Sequence, residues 1–252
     1  MGRLLTAGVL GHDQLQLAAA TERAGHPNLG GDVGHLCGKW HAGVALETPS
    51  PDVLERARVV IDFSLPEGTR VLVDALGGQA LVVGTTGLEG ADRQRLREYA
   101  ERAPVVLASN FSTGVNLLLG LVKRAARLLP DYDVEIVEMH HRHKRDAPSG
   151  TALSLGRAVA IGRGQSLDAL AVHGREGLVG ARPDREIGFH ALRGGDVAGE
   201  HTVYLAGPGE RLQLGHLATS REAFAGGALR AAVWLADQPP GLYSMQDVLG
   251  LD

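Results

Sequence analysis

Short apolar runs alternate with stretches of helical spacing through the first two thirds of the chain. Leu15 to Ala20 reads as a short buried strand. Val59 to Phe63 is β-branched and bounded by Asp62 and Pro66, so it reads as the end of a strand. Pro66 suits the first turn of a helix running to about Leu76. Ala80 to Val83 is a further apolar strand, and 84–87 reads Gly-Thr-Thr-Gly. Residues 90–103 carry a helical charge pattern, and Val105 to Ala108 is strand-like again. Continuous apolar strands joined by helical crossovers predict a parallel sheet covered on both faces, a Rossmann-like α/β domain.

The pattern then changes. Gly114 to Leu129 has the apolar stripe of a helix, Val134 to Met139 reads as a strand, and Gly150 to about Gly162 as a helix. Glu186 to Leu192, Glu200 to Ala206 and Arg211 to Leu217 read as strands. Gly207-Pro208-Gly209 joins the last two as a hairpin. This portion predicts an α+β domain with a mixed, largely antiparallel sheet. Ser220 to Ala236 is one more helix. No repeats, low-complexity tracts or long linkers interrupt the chain.

With 252 residues, 44% of them hydrophobic, the chain is long enough for two modest domains. A net charge of -4 with interspersed signs offers no basic patch for nucleic acid and no basic helix for a membrane surface. The longest apolar stretch, Val115 to Val122, is broken by Asn116 and far too short to span a bilayer. The start of the chain carries no secretory pattern. Cys37 is the lone cysteine, so no disulfide can form within one chain and a reducing cytoplasm is the expected compartment.

The densest chemistry lies in Glu138-Met139-His140-His141-Arg142-His143-Lys144-Arg145-Asp146-Ala147-Pro148-Ser149-Gly150-Thr151-Ala152. The segment leaves a strand, crosses a loop and enters a helix. Imidazole can deliver a proton near neutral pH, an ammonium can pair a carboxylate, and a helix N-terminus favours anions. Together they suit a small substrate bearing carboxylates. Arg142, His143 and Arg145 read equally well as solvated loop charges. A zinc site is the rival for clustered His, but adjacent His140 and His141 point to opposite sides of an extended backbone. With no Cys partner and no His-Glu-x-x-His spacing, no metal is assigned.

The string Glu135 to Ala152 resembles the signature of the dihydrodipicolinate reductase (4-hydroxy-tetrahydrodipicolinate reductase) family. The resemblance implies that His140 is the general acid, with His141 beside it in the substrate pocket. It implies that Lys144 binds substrate and assists protonation. Gly150 and Thr151 would anchor a substrate carboxylate, and Arg221 would reach one as well. Asp62-Phe63-Ser64 with Pro66-Glu67-Gly68 resembles the family's strand–helix junction near the cofactor, although Leu65 stands where the family often has a polar or basic residue. Gly84, Thr85 and Thr86 resemble the loop at the nicotinamide end. Ser109, Asn110, Phe111 and Ser112, with Gly114-Val115-Asn116, resemble the hinge between domains, and the first three are carried as cofactor-side residues. Gly194-Gly195-Asp196 and Gly199-Glu200-His201 match a family segment read as structural. The matches cover nearly the whole chain in order.

A dinucleotide fold opens with a strand, a Gly-rich turn and a helix, and an acid about 20 residues on meets the ribose. Glu22 fits that acid, and Arg23 beside it suits a 2′-phosphate, so NADPH or NADH is the expected cofactor. Gly2 and Arg3 match the end of the family's glycine loop, which places the first strand upstream of Met1. Gly8-Val9-Leu10-Gly11 falls too near Glu22 to replace it, so 2–10 reads as the first helix and Gly11-His12-Asp13 as its turn. Two readings fit this start: a Met internal to a longer protein, or a shortened, inactive paralogue that keeps the substrate pocket and the oligomer. Either way the chain as it stands is expected to be poorly stable and to bind cofactor weakly. The expected layout is a dinucleotide-binding domain at 1–112 and 221–252 and a substrate and tetramerisation domain at 113–220. The implied reaction is hydride transfer from NAD(P)H to C4 of the dehydrated hydroxy-tetrahydrodipicolinate ring, with protonation at the neighbouring carbon to give tetrahydrodipicolinate, in a homotetramer of lysine and diaminopimelate biosynthesis.

Overall fold

The computed structural model describes residues 1–251, which form two compact units. Unit 1 comprises Met1–Thr113 and Glu222–Gly250; unit 2 comprises Gly114–Arg221 with Leu251. The final position of the expected 221–252 span lies outside the described residues.

Unit 1 begins with α1 (Gly2–Leu10), which ends at Gly11 where the turn residues predict it. Next come β1 (Ala20–Thr21), α2 (Val33–Leu36), β2 (Leu46–Glu47) and α3 (Pro51–Leu54). β3 (Val59–Asp62), α4 (Pro66–Ala75), β4 (Ala80–Val83), α5 (Gly90–Ala100) and β5 (Pro104–Leu107) follow in strict alternation. Pro66 occupies the first turn of α4, where its missing N–H would have no acceptor anyway. In unit 2, α6 (Thr113–Leu128) leads to β6 (Asp133–His140), α7 (Gly150–Gly162), a single 3-10 turn at Leu167–Ala169, and four strands. These are β7 (Ala171–His173), β8 (Ile187–Arg193), β9 (Gly199–Gly207) and β10 (Glu210–Ala218). The chain then returns to unit 1 through α8 (Glu222–Leu235), β11 (Gly241–Tyr243) and α9 (Met245–Leu249).

The sheet of unit 2 is continuous, in the order β10-β9-β6-β8-β7. The mix is even: β10 and β6 run antiparallel to β9, while β6–β8 and β8–β7 are parallel. Gly209, at φ +78, turns the β9–β10 hairpin as the sequence predicts. Along β6 burial alternates, so Val134, Ile136, Glu138 and His140 share the buried face. Leu118 and Val122 of α6 and Leu155 and Val159 of α7 pack onto Ile136, Ile187 and Val203 in one core.

Unit 1 is interrupted. Its four-stranded parallel sheet has the order β11-β5-β4-β3, and β1 and β2 form a separate two-stranded parallel sheet. A cavity of about 950 Å³, lined in part by Leu15, Ala19, Val59, Ile61, Leu5 and Ala232, lies beside both β1 and β3. The consequence shows in burial. Leu81, Val82 and Val83 of β4, paired on both sides, are fully buried, whereas Val59, Val60 and Ile61 of β3 are half-buried. It also corrects the expected strand at Leu15 to Ala20. Only Ala20–Thr21 enters a ladder, with Leu46 and Glu47, and Leu15–Ala19 line the cavity with no strand partner. A strand needs a neighbour for its N–H and C=O groups, and apolar composition alone does not supply one. Among the described residues no helix is long and apolar enough to cross a membrane.

Candidate active site

The buried face of β6 delivers Glu138 and His140 to the end of the strand. Glu138 is 1% exposed, which for a carboxylate requires full satisfaction. It receives four hydrogen-bonding groups. Arg193, at the end of β8, donates through Nη2 to Oε1 and through Nη1 to Oε2, both at 2.8 Å. His140 Nδ1 lies 2.6 Å from Oε2, and the Ser149 N–H donates to Oε1 at 3.1 Å. Burial acts to raise the Glu138 pKa, but Arg193, His140 and the Ser149 amide together hold it below the ordinary value. The carboxylate is therefore ionised at neutral pH.

His140 is also buried, at 9% exposure. Burial lowers its pKa; the Glu138 hydrogen bond and charge oppose that shift, and Lys144 and Arg193 reinforce it. With Nδ1 facing Glu138, Nδ1–H is the donor and Nε2 remains for other chemistry. The ring meets His201 of β9 edge to face at 5.1 Å between centroids. His201 is held down to about 4, by burial first and then by its charged neighbours, so it is a neutral imidazole.

Ser149 caps α7. Its hydroxyl accepts from the Ala152 N–H at 3.1 Å and lies 2.9 Å from His201 Nε2. Gly150 and Thr151 form the first turn of α7, where the helix dipole favours an anion. Lys144 sits on the loop between β6 and α7, with its ammonium 2.9 Å from Asp146. The backbone N–H of His141 donates to Val197 at 2.8 Å, and its ring lies 6.3 Å from that of His143. One loop thus brings together an imidazole, an ammonium and a helix N-terminus. Arg142, His143 and Arg145 are exposed, as the solvated-charge reading has it. The loop histidines do not converge as metal ligands. Among the described residues the three-ligand grouping lies elsewhere, at Asp32, His35 and His41, and Asp32 already accepts the His35, Ala42 and Gly43 N–H groups. Arg221 is exposed just ahead of α8 and makes no hydrogen bond to the loop among the described residues.

Sequence reasoning missed Arg193 as a member of this cluster and read the segment carrying His201 as structural. The signal available was Glu138 itself, a carboxylate on the apolar face of an alternating strand, which demands buried partners.

In unit 1 the expected cofactor residues stand at strand and helix ends. Gly2 and Arg3 open α1, and Glu22 and Arg23 follow β1. Gly84, Thr85 and Thr86 follow β4, and Ser109, Asn110 and Phe111 follow β5. Thr85 is buried, with its hydroxyl 3.2 Å from Asp62 and 3.0 Å from Thr69, so its side chain ties β4 to β3. A Cβ at Gly84 would lie 2.4 Å from the Phe63 ring, so glycine lets the aromatic close over the strand end. Phe111 is 1% exposed and packs on Phe63 at 5.2 Å, which makes its side chain core.

Comparison with known proteins covers both units. Residues 1–111 match the family described as "Dihydrodipicolinate reductase, N-terminus", and 114–249 match "Dihydrodipicolinate reductase, C-terminus". A 4-hydroxy-tetrahydrodipicolinate reductase of Thiobacillus denitrificans is 51% identical over 254 residues, covering 100% of this chain and 95% of that one. The enzyme of the same name from Rubrobacter xylanophilus is 52% identical, covering 99% and 94%. A dipicolinate-bound dihydrodipicolinate reductase from Paenisporosarcina sp. TG-14 superposes with a TM-score of 0.74 at 25% identity, over 98% of this chain and 94% of that one.

Proposed function

The chain belongs to the dihydrodipicolinate reductase family, and from that premise we propose that it catalyses the NAD(P)H-dependent reduction of 4-hydroxy-tetrahydrodipicolinate to tetrahydrodipicolinate. It is an oxidoreductase of lysine and diaminopimelate biosynthesis acting on a small-molecule substrate. The observation that carries the reading within the molecule is His140, buried at the end of β6 on the loop that also carries Lys144 and opens α7. The rival reading, an inactive paralogue, has no support, because relatives 51 and 52% identical over essentially the whole chain are named as the reductase.

We read 1–112 with 221–252 as the dinucleotide-binding domain and 113–220 as the substrate and tetramerisation domain. The residues of unit 1 fit NADH or NADPH. Glu22 stands where an acid takes a ribose hydroxyl, Arg23 is exposed beside it for a 2′-phosphate, and α1 presents the Gly2 and Arg3 amides at its N-terminus. Gly84, Thr86, Ser109 and Asn110 offer backbone and polar groups at the carboxyl ends of β4 and β5, where open α/β sheets bind ligands. Thr85 and Phe111 contribute by fixing those strand ends. When bound, the nicotinamide supplies the hydride.

The protein supplies position and a proton. The N-terminus of α7, with Gly150 and Thr151, holds one substrate carboxylate, and Arg221 reaches another. Lys144 gives up Asp146 for the substrate and draws electron density toward itself, and His141 lines the pocket. Once the 4-hydroxyl has left as water and C4 of the dehydrated ring has taken the hydride, His140 delivers a proton to the neighbouring ring carbon. The dipicolinate bound to the Paenisporosarcina relative supports a planar dicarboxylate for this chain. The exposed Leu212 and Leu217 of edge strand β10 support assembly through the unit 2 sheet, read here as a homotetramer in the cytoplasm.

Loss of NADPH absorbance with substrate generated in situ tests the assignment. His140→Gln should lower kcat by about 10²–10⁴-fold. Lys144→Ala should raise KM and lower kcat together. Wild-type turnover in both variants would refute the site.

A further inference from the structure

We infer that Glu138 is the positioning residue of the site, setting at once the tautomer and basicity of His140 and the placement of the α7 N-terminus. This rests on the reading of His140 as proton donor. One carboxylate is shared between two parts of the site, His140 two residues along the chain and Ser149 eleven residues along it. Oε2 meets His140 Nδ1 at 2.6 Å, and Oε1 accepts the Ser149 N–H at 3.1 Å. Arg193 closes over both oxygens at 2.8 Å and fixes the carboxylate plane. Among the described residues of unit 2, Glu138 is the buried carboxylate.

The charged and titratable groups around His140 come from four elements: Glu138 on β6, Lys144 and Asp146 on the loop, Arg193 on β8 and His201 on β9. Lys144 and Arg193 disfavour the imidazolium, His201 is neutral, and Asp146 is drawn to Lys144. Glu138 is the group that favours it. A donor whose Nδ1–H is held by Glu138 presents Nε2 to substrate, and its protonated form is sustained by the same carboxylate. Ser149, fixed by Glu138 on its amide and by His201 on its hydroxyl, sets where α7 begins. Substrate carboxylate and proton donor are therefore registered against one another through a side chain that touches neither substrate nor cofactor.

The two partners of Glu138's ion pair give opposite tests. Turnover by a protonated His140 falls as pH rises through its pKa. In Glu138→Gln, with the shape kept and the charge removed, that limb of the kcat profile should move about one unit to lower pH. Turnover at neutral pH should drop on the order of tenfold, with KM changed less than about threefold. In Arg193→Gln the opposing cation is gone, and the limb should move to higher pH. Titration of the His140 ring by NMR in the folded variants should move in the same two directions, without reference to catalysis. General loosening of the site would move both variants the same way, or lower kcat and raise KM with the profile in place. If His140→Gln abolishes turnover while neither the profile nor the ring titration moves in Glu138→Gln and Arg193→Gln, the role given to Glu138 is overturned. Should His140→Gln keep turnover while the ring still titrates as described, it is the proton-donor reading that fails, and the positioning role falls with it.

Discussion

Units 1 and 2 are each built on a sheet, the first of short apolar strands and the second of longer alternating ones, yet they differ in whether that sheet is continuous. In unit 2 five strands form an unbroken sheet, and both oxygens of the buried Glu138 are engaged, by Arg193, His140 and the Ser149 amide. In unit 1 the sheet stops at β3, a cavity of about 950 Å³ follows, and β1 resumes as a two-residue ladder. The first arrangement holds its chemistry ready-made. The second sets Gly2, Arg3 and Glu22, which we propose for the cofactor, along the edge of that gap. Pairing across space, more than local composition, decides which of two similar segments becomes rigid.

That contrast can be broken most severely by filling the gap. A version extended ahead of Met1 by an apolar strand of five or six residues should pair with β3 and cover Leu15–Ala19. Unit 1 should gain on the order of 5 kcal/mol, and the Kd for NADPH should fall by at least about tenfold. Denaturant unfolding and fluorescence titration of NADPH read the two effects. An extension that changes neither would mean that the cavity is not a strand site.

A smaller effect belongs to unit 2 and depends on pH. The pKa of His201 in the folded chain, about 4, lies below the roughly 6.5 of an unfolded histidine. The unfolded chain therefore takes up the proton first. Stability is full above about pH 6.5 and declines as pH falls toward 4, by about 3 kcal/mol in all. Urea midpoints near pH 7 and pH 5 should differ for the wild type and converge for His201→Asn.

The smallest effect compares the two kinds of strand directly. Val82→Ala in doubly paired β4 should cost about 2 kcal/mol, while Val60→Ala in β3 should cost less than about 1 kcal/mol. Equal costs would mean that β3 is as well supported as β4.

What the sequence reveals divides along the same line. Ala80 to Val83 is legible as a strand because both its faces and both its edges are covered, so nothing contradicts its composition. Leu15–Ala19 has similar composition and fails, because the missing neighbour is a property of the sheet and not of the segment. β7 and β11, of three residues each, are too short for any periodicity to show. Within the site, His140, Lys144 and Gly150 are legible from one contiguous string. Arg193 lies 55 residues from Glu138, and only the β6–β8 register, which sets His140 opposite Arg193, brings it there.

The bond from the Ser149 amide to Glu138 closes the segment 138–149 into a ring of chain. A ring already closed has surrendered most of its conformational entropy before any ligand arrives, so ligand affinity is not spent on ordering the loop. Its exposed far side, Arg142, His143 and Arg145, is then free to vary in sequence. Drift there can retune the surface of the enzyme while the distance from His140 to the helix stays constant.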